Sequence, residues 1–130
     1  MEQKSLNLQV LPSVLAVCRL PADTPIPVWA TGNTFLSITR TADELSVVCE
    51  EGMVPPQKKA ERGWRCFKVQ GPLDFSLTGI LNLMSVPLAE AKISIFVIST
   101  FDTAYLMVRE ADFEQAKQVI TSAGHSVSNN

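Results

Sequence analysis

Two short stretches hold the residue types able to handle a small polar molecule. The first is Gly71-Pro72-Leu73-Asp74-Phe75-Ser76-Leu77-Thr78-Gly79. Its glycines and proline set a tight loop, and Ser76 offers a hydroxyl suited to capping a helix N-terminus. The second is the polar turn Ser99-Thr100-Phe101-Asp102-Thr103. Exposed backbone N–H groups at a helix start, flexible glycines and several hydroxyls together suit a small polar ligand. Asp74 and Asp102 give each stretch a carboxylate and could form a pair, although aspartate is commonplace in turns because it hydrogen-bonds its own backbone. The plain alternative is an ordinary helix start and an ordinary hairpin turn.

Other chemistry is scarce. His125 is the only histidine, so a Ser-His or Cys-His catalytic pair would have to use it. Its place near the C-terminus predicts a loop histidine at a helix end. No glycine-rich loop ends in Lys-Ser or Lys-Thr, and no cluster has metal-ligand spacing, so neither a cofactor nor a metal is expected. Cys18, Cys49 and Cys66 are odd in number, widely spaced and set in apolar sequence. That pattern predicts buried thiols in a reducing cytosol, not a disulfide framework.

Composition narrows the class further. With 130 residues, 46% apolar and 18% charged, the chain should bury a core as one domain or two very small ones. A net charge of −2 without a basic stripe argues against nucleic-acid binding. The stretch Arg65 to Gln70 offers only Phe67 as a stacking aromatic, which weakens an RNA-binding reading. Met1 to Ser5 does not read as a secretory signal, and no apolar run reaches the ~18–20 residues of a membrane span. A cytoplasmic protein without a membrane partner is expected.

The elements that must position the two stretches follow from periodicity. Leu6–Pro12, Val14–Leu20, Phe35–Thr41 and Leu45–Glu50 read as strands, the last two as a hairpin. Pro21, Pro25 and Pro27 forbid a long helix between the second and third, and Trp29 is expected to plug the core. Met53 to Arg62, with Pro55-Pro56 and Lys58-Lys59, reads as a connecting loop. Arg65–Gln70 is a strand with Phe67 and Val69 inward. From about Ser76 a helix carries Ile80, Leu81, Met84 and Leu88 on one face, with a kink or break near Val86 because of Pro87. Ile93–Ser99 and Ala104–Arg109 form a hairpin. Asp112 and Gln115 suggest a capping box for a helix burying Phe113, Ala116, Ile120 and Ala123, with Gly124 at its C-terminus. A short strand within His125–Ser128 closes the chain.

The second half thus reads β-α-β-β-α-β, the split pattern of ferredoxin-like sandwiches. The first half repeats the strands with its helices lost or shortened. The fold class expected is α+β, two tandem βαββαβ units packed as one body with the first degraded, at residues 5–62 and 63–130.

Several runs together resemble one family. They are Gly63-Trp64-Arg65, Gly71 to Leu81, Pro87-Leu88-Ala89-Glu90-Ala91, Ile93-Ser94-Ile95-Phe96 and Ser99 to Thr103. The family is that of the small tandem-ACT proteins, bacterial relatives of the animal cytosolic arginine sensors. The resemblance implies two ACT units, no enzymatic activity, and an amino acid held between ACT units. Carried over by position, it places ligand contacts on Ser76, Leu77, Thr78, Gly79 and Ile80 at the helix start. At the strand end it places them on Thr100 and Phe101, with Asp102 and Ala104 beside them. Gly79 would let the ligand approach the backbone, and Phe101 would wall the pocket. The family pattern has an acid where Ala104 stands, and losing that charge-assisted bond would cost a cationic ligand roughly ten- to 150-fold in affinity. Asp102 is a partial substitute. A homodimer is expected as well. Two competing readings remain at this level. One is a structural or protein-interaction module whose ligand site has decayed. The other is an acylphosphatase-like enzyme using Arg65 or Arg109.

Overall fold

The computed structural model describes residues 5–70 and 77–129. In chain order the elements are β1 Asn7–Val10, β2 Leu15–Leu20, β3 Leu36–Arg40, β4 Leu45–Glu50 and β5 Ala60–Val69. There follow α1 Leu77–Glu90, β6 Ile95–Ser99, β7 Ala104–Arg109, α2 Phe113–Ser122 and β8 Ser126–Ser128. Two compact units result, residues 13–64 and residues 1–12 with 65–130.

In the unit of residues 13–64, the strands run antiparallel in the order β3-β4-β2 and then the first half of β5. Alternation along β2 and β4 brings Ala16, Cys18 and Leu20 together with Leu45, Val47 and Cys49. Ala30 and Val54 complete that core, and Trp29 packs against it while half-exposed, so the expected plug is only partial. The proline-rich connection makes just a tight turn, the Ala30 N–H donating to the Pro27 carbonyl at 3.0 Å. Among its described residues this unit has no α-helix, only the 3-10 turn Glu51–Met53, as expected of a degraded repeat. The Glu50 carboxylate ties the connection down. It accepts from the Asn33 N–H at 2.9 Å and from the Ser13 and Thr34 hydroxyls at 3.0 Å each. These bonds, the Asn33 N–H first, hold its pKa below the ordinary carboxylate value.

Gly63 explains the bend inside β5. Between Leu15 and Val17 the pairing with Trp64 and Glu61 slips by a residue, and Gly63 takes φ 79° there. This is a β-bulge needing a residue without Cβ. The Glu51 carboxylate receives the Gly63 N–H at 2.8 Å.

The other unit has the strand order β6-β7-β5-β1-β8. A plain βαββαβ sandwich would set β8 directly beside β5. Here β1 stands between them, antiparallel to β5 and parallel to β8. A linear cut at residue 62 gives β1 to the first unit, whereas its pairing gives it to the second. Leu8, Val10, Phe67, Val69, Ala104, Leu106 and Val108 face a core completed by Met84, Leu88, Phe113, Ala116 and Ile120. The helices therefore cover one sheet face.

Pro87 does not break α1, which continues to Glu90. A proline has no N–H, so the carbonyl four residues back, that of Leu83, loses its helical partner. His125 fills the gap. Its ring is 5% exposed, it hydrogen-bonds the Leu83 carbonyl, and its Nδ1 accepts the Leu6 N–H at 3.0 Å. His125 is the expected loop histidine at a helix end, and it is also a buried clamp between β1, α1 and the end of α2. Burial pushes its pKa down, opposed in part by the Leu83 carbonyl.

Both helices end in the same device. After α1, the Ile93 N–H donates to the Leu88 carbonyl and the Lys92 N–H to the Ala89 carbonyl, at 2.9 Å each. Lys92 has φ 62°, a position that favours glycine. After α2, the His125 and Gly124 N–H groups bond the Ile120 and Thr121 carbonyls, with Gly124 at φ 101°. Gly124 thus sits at the helix terminus as expected, and it delivers His125 to the core. The capping box at α2 is not formed. Asp112 makes no side-chain cap bond, because the chain comes in through a 3-10 turn, Glu110–Asp112.

The three cysteines are buried free thiols. Burial raises the Cys49 thiol to about 11, helped by Cys18 and Glu50, and the Cys66 thiol to about 12. Neither is a thiolate at neutral pH, so neither is a ready nucleophile.

Candidate functional site

The β6–β7 turn builds a cleft. The Thr100 N–H donates to the Thr103 carbonyl at 2.8 Å, closing the hairpin below Phe101 and Asp102. Thr103, 6% exposed, donates its hydroxyl to the Val69 carbonyl and so pins the turn to the last residue of β5. Val69 is followed by Gln70 and the stretch leading to α1. Anchoring the turn here leaves an open cleft of about 420 Å³ lined by Lys68, Gln70, Thr100, Phe101, Asp102, Thr103 and Tyr105.

Strand alternation explains the lining. Phe67 and Val69 point into the helix-covered core, so Lys68 and Gln70 take the opposite face. On β7, Ala104 and Leu106 are in the core and Tyr105 takes the opposite face. The cleft thus combines a cation from Lys68, a carboxylate from Asp102, hydroxyls from Thr100 and Tyr105, and the amide of Gln70. One cation and one anion in a polar recess suit a zwitterion, each charge of the ligand meeting its opposite.

Of the residues singled out in the sequence, Thr100, Phe101 and Asp102 come together here. Phe101 stands fully exposed, 103% of its reference area, at the tip of the turn. It borders the opening and is not packed as a wall. Ala104 turns the other way and is buried at 1%. Ser76 lies outside the described residues. Leu77, Thr78, Gly79 and Ile80 form the first turn of α1. Gly79 is exposed, and a Cβ built there meets nothing within 4 Å. Lys68, Gln70 and Tyr105 were missed. The alternation of β5 and β7 signals them, since Lys68 and Tyr105 each lie between two core residues and Gln70 follows the core residue Val69 in the same phase as Lys68.

Among the described residues no group of three His, Cys, Asp or Glu could hold a metal, and no helix is long and apolar enough to cross a membrane.

Comparison with known proteins fits this frame. The ACT-domain family model matches residues 59–122, and a model described as an N-terminal domain matches residues 14–57. The chain is a small ACT-domain protein, built of two tandem ferredoxin-like ACT units with the first reduced. It is related to the cytosolic arginine sensors. Subunit 1 of the cytosolic arginine sensor for mTORC1 from Bos taurus is 33% identical over 89 residues, 60% of this chain and 27% of that protein. The chain therefore matches about a quarter of the bovine protein's length. Among solved structures, a protein of Agrobacterium tumefaciens is 42% identical with a TM-score of 0.93, the match covering 98% of this chain and 96% of that one. An aspartate kinase of Clostridium acetobutylicum shares the fold at 13% identity and TM-score 0.67, over 95% of this chain and 36% of the kinase.

Proposed function

We propose that this chain is a non-catalytic cytoplasmic sensor of a free amino acid, which binds in the cleft at the β6–β7 turn. The observation that carries the reading is that Lys68 and Asp102, one cation and one anion, line the same cleft. Lys68 takes the α-carboxylate and Asp102 the α-ammonium, with Thr100 and Gln70 adding hydrogen bonds. The first turn of α1, Leu77, Thr78, Gly79 and Ile80, offers its free backbone N–H groups to the same ligand. The cleft is open and Phe101 is fully exposed, which calls for a second ACT surface to close it. We place that surface on a second copy of the chain, so the sensor works as a homodimer. With Asp102 engaged by the α-ammonium, the lining holds no second carboxylate for a cationic side chain, so a ligand with an uncharged side chain is favoured.

Calorimetry against the twenty amino acids tests this. A saturable heat for one of them is expected, lost in Lys68→Met and Asp102→Asn. Phe101→Ala should weaken binding with stability unchanged within ~0.5 kcal/mol, since an exposed side chain supports no core. No heat at millimolar concentration would refute the sensor. The second reading, an interaction module with a decayed site, draws on the same exposed Phe101. It predicts dimerisation or partner capture that no amino acid alters.

A further inference from the structure

We propose that a second cleft, beside Phe113 and the middle of β5, binds a small oxyanion, a carboxylate or phosphate group, through Arg65 and Lys117. Its location is set by β5. Arg65 and Gln70 are five residues apart, roughly 17 Å along an extended strand, so this cleft is separate from the one at the β6–β7 turn. Arg65 has the same parity as Phe67 and Val69. A guanidinium is therefore directed to the helix-covered face, at the margin of the core.

The guanidinium has a ring contact but no acceptor. Its carbon lies 4.1 Å from the centroid of the Phe113 ring, which is itself stacked on Phe67 at 5.4 Å. Its Nε is buried, and among the described residues it has no hydrogen-bond partner. Buried donors in native proteins nearly always have an acceptor, and one that the protein leaves without is open to a water, an ion or a ligand. The flat fork of arginine fits a carboxylate or phosphate edge.

Lys117 brings a second cation to the same ring, its Nζ 5.3 Å from the Phe113 centroid. Its only carboxylate neighbour among the described residues, Glu114, is 3.9 Å away and 81% exposed, beyond hydrogen-bond reach and too solvated to neutralise it. Gln9 borders the cleft as well, but its side chain takes the face of Lys68, where its Oε1 accepts from the Gln70 amide at 3.0 Å. These groups, with Asn129, line an open cleft of about 560 Å³, within the ordinary range for small-ligand sites. Two cations over an aromatic face favour an anion with a flat or apolar body.

The test is nuclear magnetic resonance of the full chain, following the Arg65 Nε–H signal and the amides of Phe113 and Glu114. Inorganic phosphate, acetate and chloride are titrated separately at constant ionic strength. Saturable shifts with phosphate, with acetate or with both are expected, and the preference between them identifies the oxyanion. Lys117→Met should weaken the saturating anion about tenfold or more. Arg65→Lys, which keeps the charge without the fork, should weaken it too and keeps the chain foldable. Asp102→Asn should leave it unchanged, so failure here is distinct from failure of the amino-acid cleft. Shifts that stay linear and equal those with chloride would overturn the proposal. So would saturation unaffected by both cation variants.

Discussion

Replacing His125 by leucine isolates the clamp that Pro87 makes necessary. The change keeps an apolar side chain of similar reach but strands two buried groups, the Leu6 N–H and the Leu83 carbonyl. Each unsatisfied group costs roughly 1–3 kcal/mol, so His125→Leu should destabilise by roughly 2–5 kcal/mol. Pro87→Ala restores an N–H at position 87, which can take the Leu83 carbonyl inside the helix. In that background one of the two stranded groups is already satisfied. His125→Leu should then cost about 1–2 kcal/mol less than in the parent. Urea unfolding of the four proteins by circular dichroism gives the cycle, and hydrogen exchange at Leu6 reports the other bond locally. The histidine also predicts a pH dependence. Its Nδ1 must be unprotonated to accept the Leu6 N–H, and burial lowers its folded pKa below 6.5. The unfolded chain therefore binds the proton first. The stability is fully present above pH ~6.5 and is lost as pH falls toward the folded value. That slope should vanish in the leucine variant. Additive free energies within ~0.3–0.5 kcal/mol, or an unchanged Leu6 exchange rate, would refute the linkage between proline and histidine.

Two further outcomes test the turn chemistry and the site. Lys92→Gly should stabilise the chain by about 0.5–1 kcal/mol, since a left-handed non-glycine residue is strained by roughly 1–2 kcal/mol and glycine's larger unfolded-state entropy takes part of the relief back. Thermal or urea unfolding reads this, and a loss of stability would show that the lysine side chain holds the terminus. Ala104→Asp should cost roughly 2–4 kcal/mol and more as pH rises, because a carboxyl there is desolvated in the core and resists ionising. Stability equal to the parent would mean that backbone donors reach the side chain at position 104 and that an acid belongs there.

The second unit was legible because its elements carry their own punctuation. Gly124 ends α2, Ile93 to Ile98 is rich in β-branched residues, and Pro87-Leu88 stays on the helical stripe. What escaped is what tertiary pairing decides. Nothing local in Leu6–Pro12 tells that β1 will separate β5 from β8, since either neighbour buries Leu8 and Val10 equally well. The capping box at Asp112 failed because a 3-10 turn, which local sequence does not exclude, changes where the side chain can reach. The place of His125 in the loop after α2 was legible, but its burial and its partner were not, for a related reason. Its partner is an orphan carbonyl created by a proline 38 residues upstream, and only the packed fold brings the two together.

The site was half legible for a reason the strands make plain. Turn residues such as Thr100 and Asp102 advertise themselves by type, because their neighbours are hairpin strands. The residues that give a cleft its charge sit inside strands, hidden between core positions. On β5, Phe67 and Val69 fix one face, so the same alternation that buries them exposes Lys68 and directs Arg65 along their row. A one-residue slip of this strand would bury Lys68 and expel Phe67. The register that secures the core therefore also assigns each cation to its cleft, and the Gly63 bulge, two residues before Arg65, is where that register begins. Gly63→Val should accordingly disturb both clefts at once, with changed Arg65 and Lys68 side-chain signals beyond the local strain at residue 63. Preserved signals at both cations would show that the pairing of β5 with β1 sets the register unaided.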